Sequence, residues 1–168
     1  MDNKLLLDKI DSYRHHFDNN YVGGIPKLFN ETGIFLSFIT TLSAIEALAG
    51  LMAPSKPTGE RFITFIETYF PAGYHLHAGG FWKFRNTMIH SFSPGFYYLT
   101  CHTSRMHLKE VAEGSLLLNA EDFYGALLLS SSNYFEALLL DANLQANFIK
   151  RVADIDGGAP ITVSITRN

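Results

Sequence analysis

Arg85, Asn86 and His90 are the residues of this chain whose types and spacing could do chemistry. A guanidinium presents a fixed fork of donors that matches a carboxylate or a phosphate, and an imidazole exchanges protons near neutral pH. All three stand in Phe81-Trp82-Lys83-Phe84-Arg85-Asn86-Thr87-Met88-Ile89-His90, which runs on into Ser91-Phe92-Ser93-Pro94-Gly95. Bulky apolar residues at 81, 84, 88 and 92 follow the rhythm of a buried helical stripe, so the spacing predicts a helix that Pro94 and Gly95 stop. At about 100° per residue, Arg85 falls near the middle of the apolar arc, while Asn86 and His90 share the polar side.

A charge on an apolar stripe needs a partner. In the run that opens near Asn30, Phe35, Phe38, Ile39, Leu42, Ile45 and Ala49 form a second apolar arc, and Glu46 lies inside it. Leaving either charge buried and unpaired costs about 3 to 5 kcal/mol, so Glu46 and Arg85 are predicted to pair. The pair could simply lock two helices together. Alternatively, Glu46 orients Arg85 so that its remaining N–H groups face a phosphate, and only this version requires an open path from Arg85 to solvent.

Arg-Asn-x-x-x-His near the end of a hydrophobic helix resembles the signature of the HEPN superfamily, all-helical domains whose Arg-x4-6-His motif serves metal-independent RNA cleavage in many members. The chain is also similar, over most of its length, to an uncharacterised bacterial branch in which the motif is followed by Ser-Phe-Ser-Pro-Gly, as it is here. The resemblance implies that His90 acts as general acid/base on the ribose 2′-OH and the leaving 5′-oxygen. Arg85 would stabilise the phosphorane, and Asn86 would hold a phosphate oxygen or orient His90. One motif supplies one histidine, whereas this cleavage is best served by two proton carriers. A two-fold homodimer meeting at the motif helix supplies the second. RNA is then the substrate, and a toxin or defence role brings an antitoxin in as a candidate partner. The alternative is a homodimeric binding or structural module that places the same three residues at its interface and cleaves nothing.

Composition bounds these readings. A chain of 168 residues is one domain by length, and 47% hydrophobic against 17% charged residues leaves apolar surface for self-association to cover. The formal net charge of −3 gives no general attraction to nucleic acid, so RNA would have to be held by a local basic site. Cys101 is the lone cysteine, which fits a reducing cytoplasm, and the charges at Asp2, Lys4, Asp8 and Lys9 interrupt any signal-peptide core. Gly33 to Ala53 approaches the length of a membrane span, but Ser37, Thr40, Thr41, Ser43 and Glu46 dilute it and no basic flank accompanies it, so a buried core helix is expected. His75 and His77, with His90, His102 and His107 nearby, lack the spacing of a known metal site. No metal and no cofactor is expected. His75, His77 and Lys83 are instead candidates to line the His90 cleft.

The elements that must position these residues are read from periodicity. The chain is expected to be mainly α, a bundle of five or six helices in a single domain over 1–168. A small antiparallel β excursion is expected near 96–118, where Phe96–His102, Met106–Val111 and Ser115–Leu118 turn β-rich. Asn19 to Pro26 and Pro54 to Gly59 are breaker-rich, and Gly79-Gly80 predicts a break just before Phe81. Asn119 caps the strongest helix, in which Phe123, Leu127, Ser131, Tyr134 and Leu138 keep the helical period. A last helix is expected from about Ala142 to Val152, and Ile161–Ile165 reads either as a terminal strand of the small sheet or as a loosely held tail.

Overall fold

The computed structural model describes residues 3–154. Six α-helices form the bundle: α1 (Asn3–Phe17), α2 (Ile34–Met52), α3 (Thr58–Tyr69), α4 (Ala78–Ser91), α5 (Ala120–Leu140) and α6 (Ala142–Asp154). Three short strands, β1 (Tyr97–Thr100), β2 (Glu110–Ala112) and β3 (Ser115–Asn119), interrupt it between α4 and α5. The fold is thus mainly helical with a small β excursion. The strand expected over Ile161–Ile165 lies outside the described residues.

Helix α2 is the axis of the bundle and packs against α3, α4, α5 and α6. It is long and apolar enough to cross a membrane by length and composition, yet here Phe38, Leu42, Ala44, Ile45 and Leu48 sit in the protein core, each at most 1% exposed. Eleven of its nineteen residues are buried, which explains why its sequence is so hydrophobic. Its core hydroxyls bond back to their own helix, Ser37 Oγ to the Ile34 carbonyl (2.7 Å) and Thr41 Oγ1 to the Ser37 carbonyl (2.8 Å), so neither is left unmet. The helix begins one turn later than Asn30 suggests. Asn30 Oδ1 instead accepts from the backbone N–H groups of Thr32 and Gly33, building a turn ahead of it.

Aromatic side chains tie α4 to the rest. Phe84 meets Phe38 of α2 and Tyr97 of β1, with ring centroids 5.9 and 4.7 Å apart, and Phe81 meets Phe123 of α5 at 5.3 Å. The glycine pair before Phe81 does not break the helix: α4 starts at Ala78 and runs through it. Gly80 is required there by packing, because a Cβ would stand 2.6 Å from the Tyr97 hydroxyl. At the other end Phe92 turns into the left-handed region (φ 50°, ψ 32°) and closes the helix.

The sheet is mixed rather than wholly antiparallel, with β3 central in the order β1-β3-β2. β2 and β3 form the expected hairpin around Glu113-Gly114, where Gly114 takes φ 70°. β1 pairs with β3 in parallel, Tyr97 opposite Leu116 and Thr100 opposite Asn119, because the chain crosses from the end of β1 through β2 before β3 begins. This register holds Tyr97 over α4.

Candidate functional site

The motif helix carries its three polar residues to two different surfaces. Arg85 faces α2, and its Nη2 lies 2.6 Å from Glu46 Oε2, the pairing expected from the sequence. Both side chains sit at the rim of the core and not within it, 19% and 23% exposed. The physical reason is that the fully buried face of α2 is Phe38, Leu42, Ile45 and Ala49, while Phe35 and Ile39 lie at its margin, and Glu46 belongs to that margin. On α4 the stripe is Phe81, Phe84 and Met88, and Phe92 is 82% exposed, which moves Arg85 to the edge of the arc.

Three further contacts fix the guanidinium. Its Nη1 donates to Asn86 Oδ1 at 3.2 Å. Its Cζ lies 5.5 Å from the centre of the Trp82 ring, close enough for a cation–π attraction. Trp82 in turn packs on Phe62 (5.5 Å) and over Gly59, where a Cβ would come within 2.8 Å of the indole Nε1. A glycine at the start of α3 therefore lets the indole lie flat beneath Arg85. The Arg85 Nε is buried without a hydrogen-bond partner.

Arg85 opens onto a polar pocket of about 250 Å³ lined by Ser43, Glu46, Ala47, Arg61, Arg85 and Arg151. Ser43, Glu46, Ala47 and Gly50 form a stripe of small and polar residues on α2 at i, i+3, i+4 and i+7. Arginines from α3, α4 and α6 close over it. A Cβ on Gly50 would lie within 3.9 Å of both the Arg61 and the Arg151 guanidinium groups, so these two meet above the same backbone. A second pocket, of about 200 Å³, continues from Arg151 and Ala47 to Tyr13, His16, Asn20 and Tyr21. Burial raises the Tyr13 and Tyr21 hydroxyls above their ordinary pKa, with Arg151 opposing the shift at Tyr13 and Glu46 adding to it at Tyr21.

Asn86, whose Oδ1 accepts from Arg85, also lines a cleft of about 580 Å³ between α4 and the sheet. Lys83, Thr87, Phe96, Tyr97 and Leu116 also line it, so Lys83 does share a cleft with Asn86. His90 is exposed one turn further along α4 and, among the described residues, makes no hydrogen bond or ion pair. His75 and His77 are misplaced by the expectation that they line the His90 cleft. His77 stands at the opposite end of α4, thirteen residues or about 20 Å of helix from His90. His75 Nε2 bonds the Phe70 carbonyl (2.7 Å) and the His77 ring packs edge-on to Phe81.

His107 has a structural role that the sequence does not signal. Its Nδ1 accepts from the Asn119 backbone N–H (3.0 Å), which leaves the proton on Nε2, 2.7 Å from the Tyr74 hydroxyl. Tyr74 donates onward to the Asp122 carbonyl (3.1 Å). Burial lowers the His107 pKa, with Asp122 opposing, so the ring is held neutral in this network. No cluster of three or more metal-binding side chains occurs among the described residues.

Arg61, Arg151 and Ser43 are the site residues that sequence reading missed. The Ser43–Gly50 stripe was visible as a weak signal of a groove, but the arrival of arginines from α3 and α6 depends on how the helices pack. Comparison with protein families, with curated proteins and with solved structures finds no match to this chain.

Proposed function

We propose that this protein is a homodimeric, metal-independent endoribonuclease of the HEPN type, with Arg85, Asn86 and His90 as its catalytic residues and Glu46 positioning Arg85. The observation that carries the reading is the state of Arg85: held by Glu46 at 2.6 Å and Asn86 at 3.2 Å, yet facing an open polar pocket and not a sealed core. A bridge that only locked two helices would have no need of that opening. His90 lies a turn further along α4 and is exposed to solvent.

In this mechanism His90 takes the proton of a ribose 2′-OH as the 2′-oxygen attacks phosphorus. Arg85 stabilises the charge that builds on the phosphorane oxygens, and Asn86 holds one of them. The bond to the 5′-oxygen then breaks, and the second copy of His90, in the other subunit, protonates that oxygen. The products carry a 2′,3′-cyclic phosphate and a 5′-hydroxyl. Exposed apolar side chains beside the motif support the dimer: Phe92 caps α4 at 82% exposure, and Phe96, 78% exposed, lines the cleft with Asn86.

The rival reading is a homodimeric binding module without catalysis, favoured by the fact that Glu46 already neutralises Arg85 and by the net charge of −3. Incubation with total RNA in the presence of a chelator separates the two. Cleavage that leaves 2′,3′-cyclic phosphate ends and disappears in His90→Ala and Arg85→Ala supports the nuclease. An intact dimer that leaves RNA uncut establishes the module instead. A nuclease of the toxin type would also be held inactive by an antitoxin, and co-purification of one with the His90→Ala protein would identify it.

A further inference from the structure

Arg61 and Arg151 have no part in the motif, yet they complete the most charged feature of the molecule. We propose that Arg61, Arg85 and Arg151 together form a binding pocket for a phosphate group. Three guanidinium groups from three helices line one pocket against a single carboxylate, in a protein whose overall charge is negative. Of the three, only Arg85 is within ion-pair distance of Glu46 among the described residues. Like charges gathered in this way repel. Both outer guanidinium groups lie over Gly50, where an added Cβ would touch them at ordinary contact distances of 3.6 and 3.9 Å.

The donors point to what is missing. The Nε groups of Arg61 and Arg85 are both buried without a hydrogen-bond acceptor, and an unmet buried donor costs about 1 to 3 kcal/mol. A tetrahedral oxyanion answers several such donors at once, because its oxygens match the spacing of guanidinium N–H pairs. Ser43 adds a hydroxyl at the pocket wall. A carboxylate ligand has two coplanar oxygens to share among three arginines, whereas the tetrahedral oxygens of a phosphate group point to several sides of the pocket at once. The phosphate could be free or terminal, or it could be the phosphodiester next to the scissile one along an RNA strand. The second source rests on the nuclease reading, whereas the pocket itself does not.

The test uses the full chain with His90→Ala as background, so that binding is measured without cleavage. Inorganic phosphate and a short oligouridylate are titrated separately against this protein, and against the same protein with Arg61→Gln, Arg151→Gln, or Arg61→Lys with Arg151→Lys. Each glutamine variant is expected to weaken binding about tenfold or more, with the lysine pair intermediate, because charge remains but the fork is lost. If the strand lies in the pocket, each glutamine variant also lowers the salt slope of oligouridylate binding by about 0.7. Weakened phosphate binding with unchanged oligouridylate binding assigns the pocket to a free or terminal phosphate. Variants that melt like the background protein and bind both ligands as tightly overturn the proposal. Failure of the parent protein to cut RNA would sink the nuclease reading and leave this result standing.

Discussion

In the Arg85 guanidinium, Nη2 stands 2.6 Å from Glu46 Oε2 as an ion pair, Nη1 donates to Asn86 Oδ1, and Cζ lies 5.5 Å from the centre of the Trp82 ring. Such an arrangement orients the group and also stabilises the fold, by an amount that exposure sets. An exposed pair is worth about 0 to 1 kcal/mol and a dry one costs about 3 to 5 kcal/mol to break. With each side chain roughly a fifth exposed, Glu46→Gln is expected to destabilise by about 1 to 3 kcal/mol in chemical denaturation. A loss below about 0.5 kcal/mol would mean that the pair orients Arg85 without supporting the helices. This pair was legible in the sequence because each charge interrupts an apolar period, and an interrupted period demands a partner. Arg61 and Arg151 interrupt nothing of that kind. Each reads locally as a solvated residue of an amphipathic helix, and only the meeting of α3 and α6 over Gly50 makes them neighbours.

Periodicity made the six helices readable, and it failed where a neighbour from elsewhere in the chain decides. Gly79-Gly80 looks like a break because glycine weakens a helix by about 1 kcal/mol relative to alanine. In the structure the helix runs on, and Gly80 answers to Tyr97 of β1, seventeen positions further along the chain and outside any helical signal. The same long-range logic hid the parallel pairing of β1 with β3, since alternation reveals a strand but not its neighbour. Gly80→Ala sets the two effects against each other. Propensity would gain about 1 kcal/mol, but the new methyl would stand 2.6 Å from the Tyr97 hydroxyl. That ring cannot easily swing aside, because it packs on Phe84 at 4.7 Å and stacks on Phe81 at 5.9 Å. A net loss of about 1 to 2 kcal/mol is expected for Gly80→Ala. Adding Tyr97→Phe removes the clashing oxygen and leaves the ring carbon at an ordinary 3.9 Å, so the double variant should recover most of the loss. Thermal melts of the two variants and of Tyr97→Phe alone give the coupling directly, and additive effects would show that the hydroxyl is not the obstacle.

At the scale of the molecule, the excess of apolar residues was plain in the composition, but where it would surface was not. Leu76, in the 3-10 turn before α4, and Leu140, the last residue of α5, are 95% and 88% exposed, which is ordinary for a protein surface. Phe92 and Phe96 differ in that they occur together at the His90 end of α4, beside the cleft that Asn86 lines. Phe92 also adopts a left-handed backbone, which costs a non-glycine residue about 1 kcal/mol. An exposed phenyl in a strained position gains nothing within one subunit, and a second copy packed on it would supply the compensation. Phe92→Asn separates the two roles, since asparagine accepts the left-handed conformation and caps helices well. The isolated subunit should melt at the same temperature or slightly higher, while the proposed two-fold dimer, measured by sedimentation, should weaken by about tenfold or more, as for an aromatic side chain central to an interface. If Arg85, Asn86 and His90 from both copies share one cleft, RNA cleavage by Phe92→Asn at low protein concentration falls with the dimer and returns as the concentration is raised. Unchanged association would place the two-fold contact elsewhere, and activity proportional to concentration in a purely monomeric protein would remove the need for a second His90.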